Sequence, residues 1–246
     1  MMPTLQWRGL QLPTYALFVA LAFALGFLVR RAEARRLGFD RDPRQRTVAL
    51  GALLGAVVGA KLGMLLFEPV VDFAQTLSRV FSLDFTGKTV VGGIAGGYIG
   101  VEVAKKIVGI TRSTGDAFAI ALPIGQAIGR VGCFFNGCCY GTPTELPLGV
   151  LMLGAHRHPT QLYEAALDLA LAGLLFATRH TPRPAGHLFR RYLVGYALIR
   201  FTLEWWRGDP SVHLGPLSLV QLFCLAVALI FGALILRGER RLAPPS

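Results

Sequence analysis

Long apolar segments constrain this chain more than any other feature, because an apolar helix of about 20 residues is needed to cross the hydrocarbon core of a bilayer. Hydrophobic residues make up 53% of the 246-residue sequence and charged residues only 16%, which is too apolar for an ordinary soluble domain. The pattern predicts an all-α polytopic integral membrane protein with seven transmembrane helices. The expected segments are residues 14–29, 47–67, 89–108, 116–130, 160–177, 192–206 and 216–236.

Positive charge is distributed unevenly between the loops. The formal net charge is +11, and seventeen of the 25 Lys and Arg residues follow the first, third, fifth and seventh segments. Because positively charged loops stay in the cytoplasm, this predicts an N-terminus outside and a cytoplasmic C-terminus. Anionic lipid of the inner leaflet then accounts for the basic surplus, and no nucleic acid partner is expected. The arginines follow the first segment instead of preceding it, which argues against a cleavable signal peptide.

Glycines recur at four-residue spacing in the second and third segments. Such spacing lines one helix face with residues that are small enough for another backbone to approach closely. The pattern therefore predicts tight packing between helices. The glycines concerned are Gly51, Gly55, Gly59 and Gly63 in the second segment, and Gly92, Gly93, Gly96, Gly97 and Gly100 in the third.

Residues 129–141, with the sequence GRVGCFFNGCCYG, are the most unusual part of the chain. They combine Arg130, Asn136 and three of the four cysteines with four glycines, a composition that is rare inside a helix. We therefore predict a turn-rich segment here, followed by a non-helical connection as far as Pro159. The predicted topology places this segment on the outer face of the membrane.

Ionisable residues also occur inside or close to the predicted spans. At about 1.5 Å per helical residue, all of them fall in the outer half of the bilayer, where they can share one polar chamber. Buried charge is costly in a membrane, so such a cluster indicates a functional site. The alternative is that Arg200 and Glu204 form a structural pair and that Arg130 extends outward to the interface. The residues are Lys61, Arg130, Glu164, Asp168, Arg200 and Glu204.

The cysteines allow three interpretations. Cys133, Cys138 and Cys139 face the oxidising side in the predicted topology, so Cys133 could form a disulfide with Cys138 or Cys139. A reactive thiolate is the second interpretation, because the neighbouring Arg130 would favour the ionised thiol. A metal site is the weakest of the three, since the spacing lacks paired C-x-x-C elements and a clear fourth ligand. Cys224 lies alone in the seventh segment and is expected to fill apolar space.

Three segments of the chain together resemble the bacterial prolipoprotein diacylglyceryl transferase family. They occur in the family's order over most of the chain, and the seven-span arrangement with the N-terminus outside agrees with it. Their combination is specific, although no single segment would be. The matching residues are GRVG at 129–132 with Phe134, Asn136 and Gly141, HPTQLYE at 158–164, and Tyr196 with RFTLE at 200–204 and Arg207.

The resemblance implies an enzyme that transfers the diacylglyceryl group of phosphatidylglycerol to the thiol of a lipobox cysteine in a secreted prolipoprotein. It implies a single transmembrane domain over residues 1–246, a multi-pass location in the bacterial cytoplasmic (inner) membrane, and an active site that faces outside. No cofactor and no metal are expected. The partners implied are the phospholipid, the secreted protein or another thiol acceptor, and the membrane itself.

The family's functional residues carry over to matching positions. The catalytic candidates are Arg130, Arg200 and Glu204, since guanidinium groups suit a phosphate whose charge grows in the transition state. The substrate-binding candidates are Glu164, Asn136, Gly92, Gly93, Tyr196 and Arg207.

The chain departs from the family pattern at three positions. Val91 stands where the family has a histidine, Cys133 where it has an asparagine, and Cys138 where it has a glutamate. If the histidine or the glutamate helps to deprotonate the incoming thiol, this chain lacks that group at its usual place. His156 and His158 are the nearest histidines that could replace it, although a loop histidine is more often simply solvated.

Two other functional classes are compatible with parts of the sequence. A membrane thiol-disulfide oxidoreductase would explain three cysteines on the outer face without phospholipid chemistry. A transporter would explain charge within the membrane, but the sequence shows no inverted repeat and no matching inward-facing site.

Overall fold

The structure is a computed structural model that describes residues 4–7, 10–39, 41–67, 78, 89–209 and 211–240. Helix is the dominant element, as predicted. The described residues also include two short 3₁₀ turns, Gly115–Ala117 and Glu204–Trp206. The α-helices in the described residues are α1 (Thr14–Arg36), α2 (Arg44–Phe67), α3 (Val90–Val108), α4 (Ala121–Asn136), α5 (Thr160–Thr178), α6 (His187–Leu203) and α7 (Leu219–Arg240).

Four helices are long and apolar enough to cross a bilayer, within the part of the chain that the structure describes. They are α1, α2, α5 and the stretch Leu219–Gly238 of α7. Helix α3 falls in a predicted segment. Helices α4 and α6 only overlap the predicted segments 116–130 and 192–206, and they have 16 and 17 residues. The chain is therefore a helical membrane protein.

Within the described residues, three antiparallel hairpins interrupt the helices, and the prediction of a purely α-helical chain missed them. The first pairs β1 (Thr4–Trp7) with β2 (Leu10–Pro13). The second pairs β3 (Val150–Met152) with β4 (Ala155–Arg157) inside the connection that was expected to be non-helical. The third pairs β5 (His213–Leu214) with β6 (Leu217–Ser218) immediately before α7. Each strand has at most four residues, which is too short for a clear alternating pattern.

The chain divides into two compact units. The first comprises Met1–Leu37, Ser113–Asp209 and Phe223–Ser246, and the second comprises Gly38–Arg112 and Pro210–Leu222. Helices α2 and α3 belong to the second unit, whereas α1, α4, α5 and α6 belong to the first.

In the second unit, glycines bring the backbones of α2 and α3 into direct contact. A Cβ added at Gly96 would lie 2.7 Å from the Cα of Gly59, and one added at Gly51 would lie 2.7 Å from the carbonyl oxygen of Gly100. Real Cβ atoms do not approach other heavy atoms so closely, so no other residue fits without movement of a backbone. The predicted glycine packing is confirmed.

Helix α3 carries a capping residue at each end. The Thr89 hydroxyl accepts a hydrogen bond from the Gly92 amide at 3.2 Å. Gly109 ends the helix in the left-handed conformation, with φ at 68°, and its amide bonds carbonyl groups of the last turn. These caps satisfy backbone groups that the helix ends leave unpaired.

In the first unit, α4 packs against α1, and this contact corrects one prediction. Residues 129–136 are the last two turns of α4, not a turn-rich segment. A Cβ at Gly132 would lie 2.7 Å from the Cβ of Phe18 on α1, and the Phe18 and Phe135 rings stack with centroids 5.4 Å apart. Gly132 therefore serves close helix packing, which outweighs the low intrinsic helix propensity of glycine.

Candidate active site

A buried ion pair joins α4 to α5 in the first unit. Arg130 donates a hydrogen bond from Nη2 to Oε1 of Glu164 at 2.8 Å. The Tyr196 hydroxyl on α6 donates to the same oxygen at 3.2 Å. Arg130 is 6% exposed and Glu164 1%. Three helices thus contribute one polar group each to a single buried contact.

Two further arginines lie near this contact. Arg200 pairs with Glu204 at the end of α6, and Arg207 pairs with Asp209 just beyond it. Glu164 interacts electrostatically with the guanidinium groups of Arg130, Arg200 and Arg207. Burial raises the pKa of the Asp209 carboxyl above its ordinary value. The polar chamber that the sequence predicted is therefore partly present, with three arginines close to one carboxylate.

The positions of these charges indicate function more than stability. Removing a carboxylate and a guanidinium from water costs several kcal/mol per ion. The electrostatic attraction between the two ions rarely exceeds that desolvation cost. An apolar pair of similar volume would serve packing at least as well. Ionisable groups within a membrane therefore mark a binding or reaction site.

Asp168 lies one helical turn beyond Glu164 and is completely buried. Neither of its carboxylate oxygens has a hydrogen-bond partner among the described residues. Nearby, the hydroxyl of Tyr192 donates to Oε1 of Gln126 at 3.0 Å. The polar interior thus extends about one turn along α5 from the Arg130–Glu164 pair.

The segment after α4 folds back on the helix and gathers the three cysteines. Gly137 is left-handed, with φ at 74°, and the Cys138 amide donates to the Cys133 carbonyl at 3.2 Å. This bond pattern is a Schellman motif. All four cysteines of the chain are free thiols in the structure. The Sγ atoms of Cys133, Cys138 and Cys139 lie within 4.8 Å of one another.

The Cys139 thiol has a distinctive electrostatic environment. Contacts with the thiols of Cys133 and Cys138, and then the guanidinium groups of Arg130 and Arg207, hold the pKa of Cys139 well below its ordinary value. Neighbouring cations favour the thiolate form of a cysteine. The cysteines thus lie beside the arginine cluster and interact with it.

Backbone hydrogen bonds fix the residues that follow the cysteines. Gly141 donates to the His158 carbonyl at 2.9 Å, Thr142 to the Trp206 carbonyl at 2.8 Å, and Gly208 to the Tyr140 carbonyl at 2.9 Å. A Cβ at Gly141 would lie 2.6 Å from the carbonyl oxygen of His158. We call these three bonds the backbone clamp. It ties the cysteine segment to the start of α5 and to the end of α6.

An apolar pocket opens beside the same helix ends. Its volume is about 510 Å³, which falls within the range typical of small-molecule sites. The lining is almost entirely hydrocarbon and aromatic, with few polar groups. Its residues are Leu146, His158, Tyr163, Ala166, Leu167, Thr202, Leu203 and Trp206.

The predicted site residues fall into two groups. The first group lies in the first unit. It comprises Arg130, Glu164, Tyr196 and the three cysteines, together with Arg200, Glu204 and Arg207 at the end of α6. Asn136 is exposed at the last position of α4, and its side chain bonds the Cys138 thiol. Gly92 and Gly93 belong to the second unit, where Gly92 packs against Gly59 and Gly63. Their predicted role in substrate binding stays a prediction.

The two candidate histidines occupy different positions. His156 is exposed on β4, where its Nδ1 lies 3.4 Å from the Gly149 carbonyl. His158 is buried, and its Nδ1 lies 3.5 Å from the Tyr163 hydroxyl. His158 also lines the apolar pocket, so it is the better placed of the two to meet a substrate.

Sequence reasoning missed Tyr15. This residue lies in the first turn of α1 and interacts electrostatically with all three clustered cysteines and with Arg130. An aromatic residue at the start of a membrane span is typical of an interfacial anchor. Nothing in the sequence around Tyr15 distinguishes it from such an anchor.

The chain is similar to proteins of one known family over most of its length. The profile of the prolipoprotein diacylglyceryl transferase family matches residues 3–237. A phosphatidylglycerol–prolipoprotein diacylglyceryl transferase of Geobacter sulfurreducens is 34% identical over 94% of this chain and 92% of its own length. An enzyme of the same name from Clostridioides difficile is 31% identical over 88% of this chain and 87% of its own length. The chain belongs to the prolipoprotein diacylglyceryl transferase family.

Proposed function

We propose that this protein transfers the diacylglyceryl group of phosphatidylglycerol to a cysteine thiol of a prolipoprotein, at the outer face of the bacterial cytoplasmic membrane. The observation that carries the proposal is the buried Arg130–Glu164 pair at 2.8 Å, with Arg200 and Arg207 close enough to interact electrostatically with Glu164. Arg130, Arg200 and Glu204 are the catalytic residues in this proposal. Relatives that match 88% and 94% of the chain are named for this reaction.

The arginines provide donors for a phosphate group. Nη1 of Arg207 is buried and has no hydrogen-bond partner within the described residues. Such a donor is costly to leave unsatisfied, and an anionic ligand would satisfy it. Guanidinium groups bind phosphate through two parallel hydrogen bonds, which also fixes the orientation of the ligand. We therefore assign the phosphate of phosphatidylglycerol to these arginines.

The apolar pocket supplies the other requirement of a lipid substrate. It lies between α5 and α6 and includes His158 and Trp206, whose backbones belong to the backbone clamp. A hydrocarbon lining suits an acyl chain, which carries no donor or acceptor that would need a partner. A diacylglyceryl chain in this pocket would place the ester-linked glycerol near the arginines.

The reaction forms a carbon–sulfur bond and breaks a carbon–oxygen bond. The acceptor thiol, as thiolate, attacks the terminal glycerol carbon of the diacylglyceryl group, and glycerol phosphate leaves with the bonding electrons. Charge therefore develops on the phosphate oxygen as the bond breaks. Preorganised guanidinium groups stabilise that charge in the transition state, which is where they accelerate the reaction.

Replacing one arginine tests the assignment. Purified protein is incubated with phosphatidylglycerol and a synthetic lipobox peptide, and the thioether product is measured by mass spectrometry. Arg200→Gln should reduce the rate at least about 100-fold, the usual cost of losing one transition-state donor. Arg44→Gln is the matched control, because Arg44 is exposed and pairs with Asp42 at 3.0 Å. Equal rates in both variants would refute the phosphate site.

The proposal also includes a topology of seven spans with the N-terminus outside. The uneven distribution of Lys and Arg supports it, as does membership of the family. A reporter fused after Ser246 should be active only in the cytoplasm, and one inserted near Pro143 only outside. Cytoplasmic activity of the Pro143 insertion would place the site on the wrong side and contradict the proposal.

A thiol-disulfide oxidoreductase remains distinguishable by experiment. No observation favours it, since the comparisons name transferases throughout. An oxidoreductase would cycle between dithiol and disulfide with a quinone and would make no thioether from phosphatidylglycerol.

A further inference from the structure

The three clustered cysteines are a set of ligands that the proposed transfer reaction does not use. Cys133 comes from the last turn of α4, and Cys138 and Cys139 come from the segment that follows it. Their Sγ atoms lie within 4.8 Å of one another and none is in a disulfide. A zinc ion holds thiolates at about 2.3 Å, so its sulfur ligands lie roughly 3.8 Å apart. Shifts of about 1 Å or less would close the cluster around one ion.

Backbone geometry explains why the sulfurs converge. The Schellman motif at Gly137 turns the chain back, so that Cys138 lies beside Cys133, five residues earlier. Cys139 has φ at 59°, a left-handed conformation that is unfavourable for a residue with a side chain. The surrounding structure maintains that conformation. Observed backbone strain of this kind is typical of functional sites.

Hydrogen bonds from α5 hold the two loop cysteines in place. Nε2 of Gln161 donates to the Cys138 carbonyl at 2.6 Å, and the Thr160 hydroxyl donates to the Cys139 carbonyl at 2.9 Å. Gln161 and Thr160 are both buried. The ligands are therefore positioned before any ion binds, which lowers the entropic cost of binding.

The surrounding charge suits a metal–thiolate complex. Zn²⁺ with three thiolates carries a net charge of about −1. Arg130 interacts electrostatically with Cys133 and Cys139, and Arg207 interacts with Cys139. These guanidinium groups offset the negative charge of such a complex. Thiolate ligands select zinc over hard cations such as Mg²⁺ or Ca²⁺.

We propose that Cys133, Cys138 and Cys139 bind one Zn²⁺ ion and leave its fourth coordination position to the thiol of the acceptor protein. This inference rests on the proposed transferase function. Three protein ligands and one open position characterise catalytic zinc sites, and a thiol that coordinates zinc is deprotonated. Binding thus releases the acceptor's proton to solvent and yields a zinc-bound thiolate. That thiolate then attacks the glycerol carbon, and glycerol phosphate leaves.

The proposal provides a way to ionise the acceptor thiol that needs no protein base. A metal that holds the thiol as thiolate removes the need for a side chain that accepts its proton. The cysteines also lie beside Arg130, so the nucleophile and the phosphate of the leaving group would meet at one place.

Metal binding is tested on the full-length reduced protein in detergent, without reference to activity. Co²⁺ is the spectroscopic probe, because its visible absorption reports the number of thiolate ligands and its geometry. Wild-type protein and Cys224→Ser should each bind one Co²⁺ that Zn²⁺ displaces. The triple change of Cys133, Cys138 and Cys139 to Ser should bind none. Absence of thiolate-bound Co²⁺ in the wild type, or equal binding by the triple variant, would overturn the proposal.

Addition of a lipobox peptide tests the open position. The cysteine peptide should intensify the tetrahedral Co²⁺ bands, and the same peptide with serine in place of cysteine should not. Metal-free wild-type protein, prepared with a chelator, should lose thioether formation and regain it with Zn²⁺. Full transfer by the metal-free protein refutes the zinc proposal and leaves the transferase proposal intact. Metal and peptide binding without any transfer refutes the transferase proposal alone.

Discussion

Two helix interfaces of this protein are built in opposite ways. Helices α2 and α3 meet through glycines, with a Cβ at Gly96 only 2.7 Å from the Cα of Gly59. Helices α4, α5 and α6 meet through the hydrogen-bonded trio of Arg130, Glu164 and Tyr196. The first interface uses van der Waals contact between backbones, whereas the second uses buried charge.

The difference separates packing from chemistry. Lipid tails provide little hydrophobic force between helices, so close glycine packing is an efficient way to hold a pair together. A buried ion pair holds helices together less effectively, because the free-energy cost of desolvating both ions offsets most of their electrostatic attraction. The glycine interface should therefore respond to changes of volume, and the charged interface to changes of charge. Substitutions at the two interfaces test that distinction, from the largest expected effect on the free energy of unfolding to the smallest.

Arg130→Gln should have the largest effect. It leaves Glu164 buried without its cation, and breaking a buried pair costs about 3–5 kcal/mol. The double variant Arg130→Gln with Glu164→Gln removes both charges and should regain most of that stability, yet remain inactive. Thermal unfolding in detergent and thioether formation are measured together. Activity in the stable double variant would mean that the pair serves structure alone.

Gly96→Ala should have a smaller effect, about 1–3 kcal/mol, because overpacking forces two backbones apart. Gly97→Ala is the matched control on the same helix, since its added Cβ would lie 3.4 Å from the nearest atoms, in ordinary contact. Alanine also favours helix over glycine, so Gly97→Ala should be neutral or stabilising. Equal denaturation midpoints for the two variants would contradict the close approach.

Thr89→Ala should have the smallest effect, about 1 kcal/mol, through loss of the hydroxyl that caps α3. Thr89→Ser keeps the hydroxyl and should retain most of the stability. Neither change alters charge in the first unit. Loss of transfer activity in Thr89→Ala at full stability would show that this end of α3 takes part in the reaction.

Sequence reasoning performed well where one physical effect dominates. Apolar length predicted helices at α1, α2, α5 and α7, and glycine spacing predicted the contact between α2 and α3. The expected boundary at Thr160 is confirmed. In each case, the signal is repeated over several turns, so errors at single residues have little effect.

Sequence reasoning failed where tertiary contacts override local preference. Gly129 and Gly132 suggested a turn, but Gly132 is helical because Phe18 packs against it. The convergence of Cys133 and Cys138 could not be predicted from their spacing, because it depends on a left-handed residue at Gly137. The partner of Arg130 could not be identified from sequence either. Glu164 lies 34 residues away, and several acids were equally eligible.

The backbone clamp has a consequence for how this part of the chain can change over evolution. Its three hydrogen bonds join main-chain atoms at Gly141, Thr142 and Gly208 to main-chain partners. Replacing a neighbouring side chain leaves such bonds intact, whereas inserting or deleting one residue would shift all three out of register. Segment length is therefore far more restricted than residue identity between Gly137 and Gly141. New chemistry, such as the thiols of Cys138 and Cys139, can be acquired there by substitution without rebuilding the scaffold.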